Sequence, residues 1–211
     1  MVKFKKIKLF SKANICYCDV IIDNNEIELI LHFDIILKYQ LKDKIEVETD
    51  TYNNILYDNY LLKAKNLSYT FATYKMRTEL EVRERLKREN YQGDIIDLAI
   101  QFLYEFNLIN DEKYAKLFVE EKSISKIWGK IRIKNELSRK GIDTNIIENV
   151  ISHYFPEMQT LDKAIKVADK KYNILLKKHN IQKSQQLLFS FLQRKGFHFD
   201  EIKEIIKNLT S

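Results

Sequence analysis

The sequence predicts a mainly α-helical chain: three tandem three-helix repeats in an elongated array, behind a small β-hairpin-rich N-terminal region. Three observations carry this. Four Gly and one Pro in 211 residues, with abundant Lys, Glu, Leu and Ile, favour helices joined by short connections. From about residue 51 onward the apolar residues recur with a period near 3.6. And the chain matches itself, without gaps, at offsets of 51 and then 55 residues, as Leu86, Leu137 and Leu192 illustrate.

The N-terminal region, residues 1–50, alternates instead. Cys16, Cys18, Val20 and Ile22 share one strand face, and Ile27, Leu29, Leu31 and Phe33 share a face of the next strand. Asp23-Asn24-Asn25-Glu26 lies between them, and Asn tolerates the positive φ of a tight hairpin. Residues 3–10 can add a third strand and 44–48 a short fourth. The two cysteines read as buried thiols, because no further metal ligand stands near them.

Repeat 1 is expected over 51–107, repeat 2 over 108–156 and repeat 3 over 157–211. The first helix of each is predicted at 52–74, 111–125 and 160–178. Leu56, Tyr60, Ala64, Leu67, Phe71 and Tyr74 form the apolar stripe of the first, and Leu161, Ala164, Ile165, Ala168, Tyr172, Leu175 and Leu176 that of the last. The middle helices align through Val82, Ile133 and Leu188, and one turn later through Leu86, Leu137 and Leu192. Thr78, Gly129 and Ser184 stand eight residues before those leucines, all types accepted at an N-cap. Asn90, Gly141 and Gly196 share the column where a left-handed residue ends the helix, and Asn107 has the same role before Asn110 or Asp111 caps the next helix. Asp94, Asn145 and Asp200 open the third helix, whose apolar columns are Ile96, Ile147, Ile202 and Ile100, Ile151, Ile206. Neighbouring repeats are expected to stack along one axis.

A catalytic constellation is not expected. The histidines at 32, 153, 179 and 198 lack carboxylate or Cys partners at ligand spacing, and four glycines leave little for a phosphate loop. No cofactor or metal is expected, and nothing approaches a transmembrane span. Lysines break every apolar run in the first fourteen residues, which argues against a signal peptide. A net charge of +6 and a pI near 9.0 favour an acidic partner. The charge is segregated: residues 122–141 carry seven Lys and Arg against Glu136, while 143–162 carry four acids and no Lys or Arg. Arg88, Arg139 and Arg194 lie near helix ends, where a cation offsets the macrodipole. Lys130, Arg132 and Lys134 lie early in their helix, where a cation opposes it, so no local stabilising role is expected for them. Trp128, the sole tryptophan, is expected to be a buried anchor.

YKMRTELEVRERL (74–86), NLINDEKYAKLFVEE (107–121), GKIRIKNELSRKGI (129–142) and LLFSFLQRKGF (187–197) resemble, in order and spacing, the RecX family of recombination regulators. The strand-rich head is similar to the extension of the Gram-positive-type branch. Asn90 and Asn107 stand where the family often has Gly, and Trp128 is unusual in its linker. The resemblance implies a cytoplasmic, monomeric, non-enzymatic protein that lies in the groove of the RecA–DNA filament. There it lowers ATP hydrolysis, filament growth and strand exchange, and binds single- and double-stranded DNA itself. The residues expected to meet filament or DNA are Lys126, Lys130, Arg132, Lys134, Arg139 and Lys140, with Lys170, Lys171, Arg194 and Lys195 in the third repeat. The rival expectation is a free-standing, helix-turn-helix-like DNA-binding protein.

Overall fold

The computed structural model describes residues 1–10 and 14–210. Its four strands are β1 (Val2–Phe10), β2 (Ile15–Ile22), β3 (Asn25–His32) and β4 (Glu46–Val47), in one antiparallel sheet of order β3-β2-β1-β4. The helices are α1 (Phe33–Lys38), α2 (Thr49–Tyr74), α3 (Glu79–Arg88), α4 (Gly93–Glu105), α5 (Asp111–Ser125), α6 (Lys130–Arg139), α7 (Thr144–Tyr154), α8 (Glu157–Leu176), α9 (Ile181–Lys195) and α10 (Phe199–Thr210). The chain divides into two compact units. The first comprises Met1–Lys75 and Val82–Leu108, the second Met76–Glu81 and Ile109–Ser211.

In the first unit, β2 and β3 pair through Ile22 and Asn25, leaving Asp23 and Asn24 as a two-residue turn at φ 48° and 64°. Positive φ at both positions is the signature of a type I′ hairpin, whose twist suits the strands. Val2, Phe4, Cys16, Cys18, Val20 and Leu31 are buried against Ile35, Ile36, Leu41, Tyr52 and Ile55, so the sheet packs on α1 and the start of α2. Burial pushes the pKa of the Cys18 thiol up to about 12, with Cys16 and Asp19 adding to the shift.

Two expectations fail here. Phe33 does not continue the strand face but begins α1, where the His32 ring accepts the Asp34 N–H, and Ile27 on the same face is 41% exposed. The buried face of α2 is Tyr52, Ile55, Asn59, Ala64, Ser68 and Ala72, and of the expected stripe only Ala64 is fully buried, while Tyr74 is 84% exposed. Large apolar residues dominate a periodicity count, but small ones sit where backbones approach. Asn59 is buried for a polar reason: its Oδ1 accepts the His32 N–H at 2.9 Å and its Nδ2 donates to the Ile30 carbonyl at 3.1 Å. Together they occupy backbone groups on β3, an edge strand that would otherwise offer itself to another chain.

The repeat columns coincide as expected. Val82, Leu86, Ile133, Leu137, Leu188 and Leu192 are all 0–1% exposed. Asn90, Gly141 and Gly196 have φ of 61°, 77° and 88°. After each, the next N–H returns to the column leucine: Tyr91 to Leu86 at 3.2 Å, Ile142 to Leu137 at 3.2 Å, and Phe197 to Leu192 at 3.3 Å. Each middle helix therefore ends in the same left-handed stop. Asn107, at φ 53°, ends α4, and the Asn110 side chain accepts from Lys113 to start α5. Thr78 caps α3 in a reciprocal box, its hydroxyl accepting from the Glu81 N–H and its own N–H donating to the Glu81 carboxylate. Ser184 is not a cap. Asn180 accepts from Lys183 and starts α9 one turn earlier, which leaves Ser184 buried inside the helix.

Candidate functional site: a cationic joint in the second unit

Within the second unit, α5–α7 enclose one core around Ile133, Leu137 and Ile147, and α8–α10 enclose another around Leu188, Leu192 and Ile202. They meet where the stop after α9 touches the start of α6. The Gly129 N–H donates to the Lys195 carbonyl at 2.9 Å, and the Ile131 N–H to the Gly196 carbonyl at 3.1 Å. Backbone lies directly on backbone: a Cβ on Gly129 would fall 2.2 Å from the Gly196 oxygen, and one on Gly196 would fall 2.3 Å from the Arg132 Cβ. A second stop meets a helix start through a side chain rather than through main-chain hydrogen bonds. The stop at Gly141 abuts the start of α3, where a Cβ would lie 2.6 Å from the Leu80 Cβ. Each joint thus seats a left-handed stop against the N-terminal turn of the preceding repeat's middle helix.

The two joints differ in charge. In the α3 joint, Glu81 pairs with Lys140 at 2.7 Å, both side chains about a quarter exposed. Burial alone would raise the pKa of the Glu81 carboxyl, but the hydrogen bonds from Lys140 and the Thr78 N–H, with the Lys140 and Arg77 charges, outweigh it and hold the group below its ordinary value. Burial likewise works against the Lys140 ammonium, yet its bonds to Glu81 and Tyr114 raise it. Gapless alignment places Arg132 in the Glu81 column and Lys195 in the Lys140 column. The α6 joint therefore sets two cations where the α3 joint sets an ion pair. The Lys195 ammonium is pushed down by burial and then by the charges of Arg132 and Lys126.

The ten expected contact residues sort accordingly. Lys126, Arg132, Arg139, Arg194 and Lys195 gather at the α6 joint: Lys195 donates to the Lys126 carbonyl at 2.8 Å, and Arg132 donates to the Arg194 carbonyl at 3.1 Å while its guanidinium lies 4.0 Å over the Trp128 ring. A cleft of about 380 Å³ opens there, lined by Arg132, Asn135, Glu136, Arg139, Gln193 and Arg194 among others. Glu136 is engaged by Arg139 at 3.1 Å. Lys140 belongs to the α3 joint. Lys170 and Lys171 lie on α8 and do not line the cleft.

Lys130 and Lys134 have no partner within their own helix but do have acidic partners on other helices. Lys130 pairs with Glu157, and Lys134 with Glu148 at 2.6 Å. The acids of 143–162 therefore answer part of the basic run before them, through tertiary contacts invisible within one helix's periodicity. Trp128 is only partly buried, edge-on to Phe118 at 6.1 Å and covered by Arg132 on its face. Asn135 and Gln193 join the cleft with no signal in the sequence to mark them. The Glu81/Arg132 charge swap is readable from the repeat alignment, as is the Thr78-x-x-Glu81 capping box.

No helix among the described residues is long and apolar enough to cross a membrane, and no group of three or more His, Cys, Asp or Glu among them could hold a metal ion. Fold and site together define a protein of consecutive three-helix modules, the second and third joined glycine to backbone, with a β-rich head. The family descriptions "RecX, first three-helix domain", "second" and "third" match residues 64–103, 110–151 and 157–206. The chain is 36% identical over 171 residues to the regulatory protein RecX of Clostridium perfringens strain 13, covering 81% of this chain and 79% of that one. It is 30% identical over 210 residues to that of Clostridium beijerinckii, covering 99% and 96%. A crystal structure of RecX from Lactobacillus salivarius aligns with a TM-score of 0.64 at 31% identity, over 72% of this chain and 98% of that one. A second crystal structure of regulatory protein RecX aligns at 0.75 over 98% and 100%, and at 21% identity it speaks for the fold. The chain belongs to the RecX family of regulatory proteins.

Proposed function

We propose that this protein binds the groove of the RecA–DNA filament and restrains it, lowering recombinase ATPase, filament growth and strand exchange, with accessory binding of single- and double-stranded DNA. The observation that carries the reading is the α6 joint: Lys126, Arg132, Arg194 and Lys195 meet there with Glu136 the one acid in the adjoining cleft, and Glu136 is already held by Arg139. A cationic face of this kind, on modules repeated at a fixed joint, suits a nucleoprotein filament, whose surface offers phosphate and acidic protein at regular intervals. The basic run of α6 contributes less than its composition suggests, because Lys130 and Lys134 already hold acids.

The free-standing reader of duplex DNA is less well supported. In that arrangement the helix after the turn enters the major groove. Here α4 and α7 contain no Lys or Arg, and α10 sets Lys203 and Lys207 among Asp200, Glu201 and Glu204. The test is to add purified protein to preformed RecA filaments on single-stranded DNA and follow ATP hydrolysis. Inhibition is expected at well below one protein per RecA protomer. Unchanged hydrolysis even near saturation would remove the proposal, and tight sequence-selective duplex binding without RecA would favour the rival.

A further inference from the structure

We infer that the α6 joint is completed by a nucleic-acid phosphodiester, which occupies the cleft lined by Arg132, Arg139 and Arg194 and supplies the negative charge that Glu81 supplies at the α3 joint. The inference deepens the reading of this surface as a nucleoprotein face. Its test contains no recombinase, so it can fail while restraint of the filament stands, and the reverse.

The two joints bring equivalent positions of the repeat together, although main-chain hydrogen bonds between stop and helix start are described at the α6 joint alone. In both, a left-handed stop lies against the first turn of a middle helix, and the third position of that turn points toward the residue just before the stop. At the α3 joint those residues are Glu81 and Lys140, and they pair. At the α6 joint they are Arg132 and Lys195, and they repel, with Lys126 adding to the same field. A backbone contact nevertheless holds them, with Gly129 and Ile131 both donating to carbonyls at the stop. Like charges are therefore held together by a main-chain clasp, beside an open cleft.

That cleft has the chemistry of a phosphate seat. It offers the guanidinium groups of Arg132 and Arg194, a third from Arg139 that is shared with the Glu136 carboxylate, and the side-chain amides of Asn135 and Gln193; each guanidinium has a planar fork of donors that matches phosphate oxygens. Arg132 uses one N–H on the Arg194 carbonyl and stacks on Trp128, which fixes its plane before a ligand arrives. A phosphate bound to Arg132 offsets its repulsion of Lys195. The bound joint then acquires the charge balance of the α3 joint, so binding stiffens the contact between the second and third modules.

Trp128 is the sole tryptophan and lies under Arg132, so its fluorescence reports on the site directly. Titration of the intact protein with a short oligothymidylate should change Trp128 emission saturably and raise the melting temperature. With three phosphate contacts, affinity should fall roughly 20-fold on a fourfold rise in salt. The same oligomer with an uncharged methylphosphonate backbone should have no effect, and inorganic phosphate should act only at far higher concentration. Arg132→Glu recreates the Glu81–Lys140 arrangement. It should melt no lower than the wild type, lose at least tenfold in oligonucleotide affinity, and show no melting shift with oligonucleotide. Arg194→Gln, which leaves the Trp128 stack in place, should lose affinity as well, while Lys170→Gln/Lys171→Gln should bind like the wild type. The inference is overturned by unchanged emission and melting with oligothymidylate, by equal binding of the uncharged oligomer, by inorganic phosphate saturating at oligonucleotide concentrations, or by full affinity in both the Arg132→Glu and Arg194→Gln variants.

Discussion

Gly129, Gly196 and Gly93 are all glycines near helix ends, yet substitution has opposite consequences among them. Alanine at Gly129 drives a methyl into the Gly196 carbonyl, and alanine at Gly196 meets both a φ of +88° and the Arg132 side chain. Each should destabilise the second unit by roughly 2–4 kcal/mol in urea unfolding. Gly93, in the first turn of α4, has nothing within 4 Å of the place a Cβ would take, so Gly93→Ala should stabilise by about 0.5–1 kcal/mol. The Glu81–Lys140 pair makes a further prediction. The Glu81 carboxyl sits below its ordinary 4.5, so the stability it adds is complete above that value and is lost as pH falls through its folded one. The Lys140 ammonium sits above its ordinary 10.5, so its share is complete below that value and is lost as pH rises through the folded one. The stability difference between wild type and Lys140→Met should be flat between those limits and shrink outside them. A double-mutant cycle with Glu81→Gln should give a coupling of about 1 kcal/mol near neutral pH. Asp111, raised by burial, favours its protonated form and opposes Glu81 in acid, so the alkaline limb is the cleaner measurement.

Among the elements, the helix stops are the most readable in the sequence. Asn90, Gly141 and Gly196 announce themselves because few residue types tolerate positive φ, and three aligned copies leave one physical explanation. Asn90→Gly should be neutral or slightly stabilising, while Asn90→Ala should cost about 1 kcal/mol, measured by thermal unfolding. The helix faces are less readable. The buried stripe of α2 runs through Asn59, Ala64, Ser68 and Ala72, residues that hydropathy passes over and close packing selects. The short α1 escapes a reading by pattern because Ile35 and Ile36 follow an apolar run that looks like strand, and the His32 ring accepting the Asp34 N–H marks where the helix begins. Ile127 illustrates a different limit. It follows α5 at φ 55°, an uncommon conformation for a β-branched residue, and packs against the α8–α10 core. No local rule would choose it as a helix stop.

At the scale of the molecule, the sequence reveals the module count and the sign of the charge but not which charges are already spoken for. Lys130, Arg132 and Lys134 look like the strongest contact candidates in a linear reading, yet the two lysines each hold an acid from another helix. Arg132, Arg194 and Lys195 come together only because a stop folds onto a helix start 67 positions away, as Gly129 and Gly196 show. Nor is the head cleanly separable from the first long helix, since Tyr52 and Ile55 of α2 are buried in the sheet's core. A variant lacking residues 1–48 should expose that face, bind a hydrophobic dye and lose cooperative unfolding of the first unit, as measured by dye fluorescence and circular dichroism.

The clasp between Gly129 and Gly196 is made by main-chain atoms, which every residue type except proline can supply on the donor side. Its geometry is therefore indifferent to the side chains around it, so long as the two glycines persist. Over generations, the residues facing the cleft can be exchanged for others without moving the platform that presents them. One joint carries the Glu81–Lys140 ion pair, and the clasped one a cleft lined by Arg132, Arg139 and Arg194. Divergence in what the modules recognise can thus proceed by substitution alone, with the architecture inherited intact.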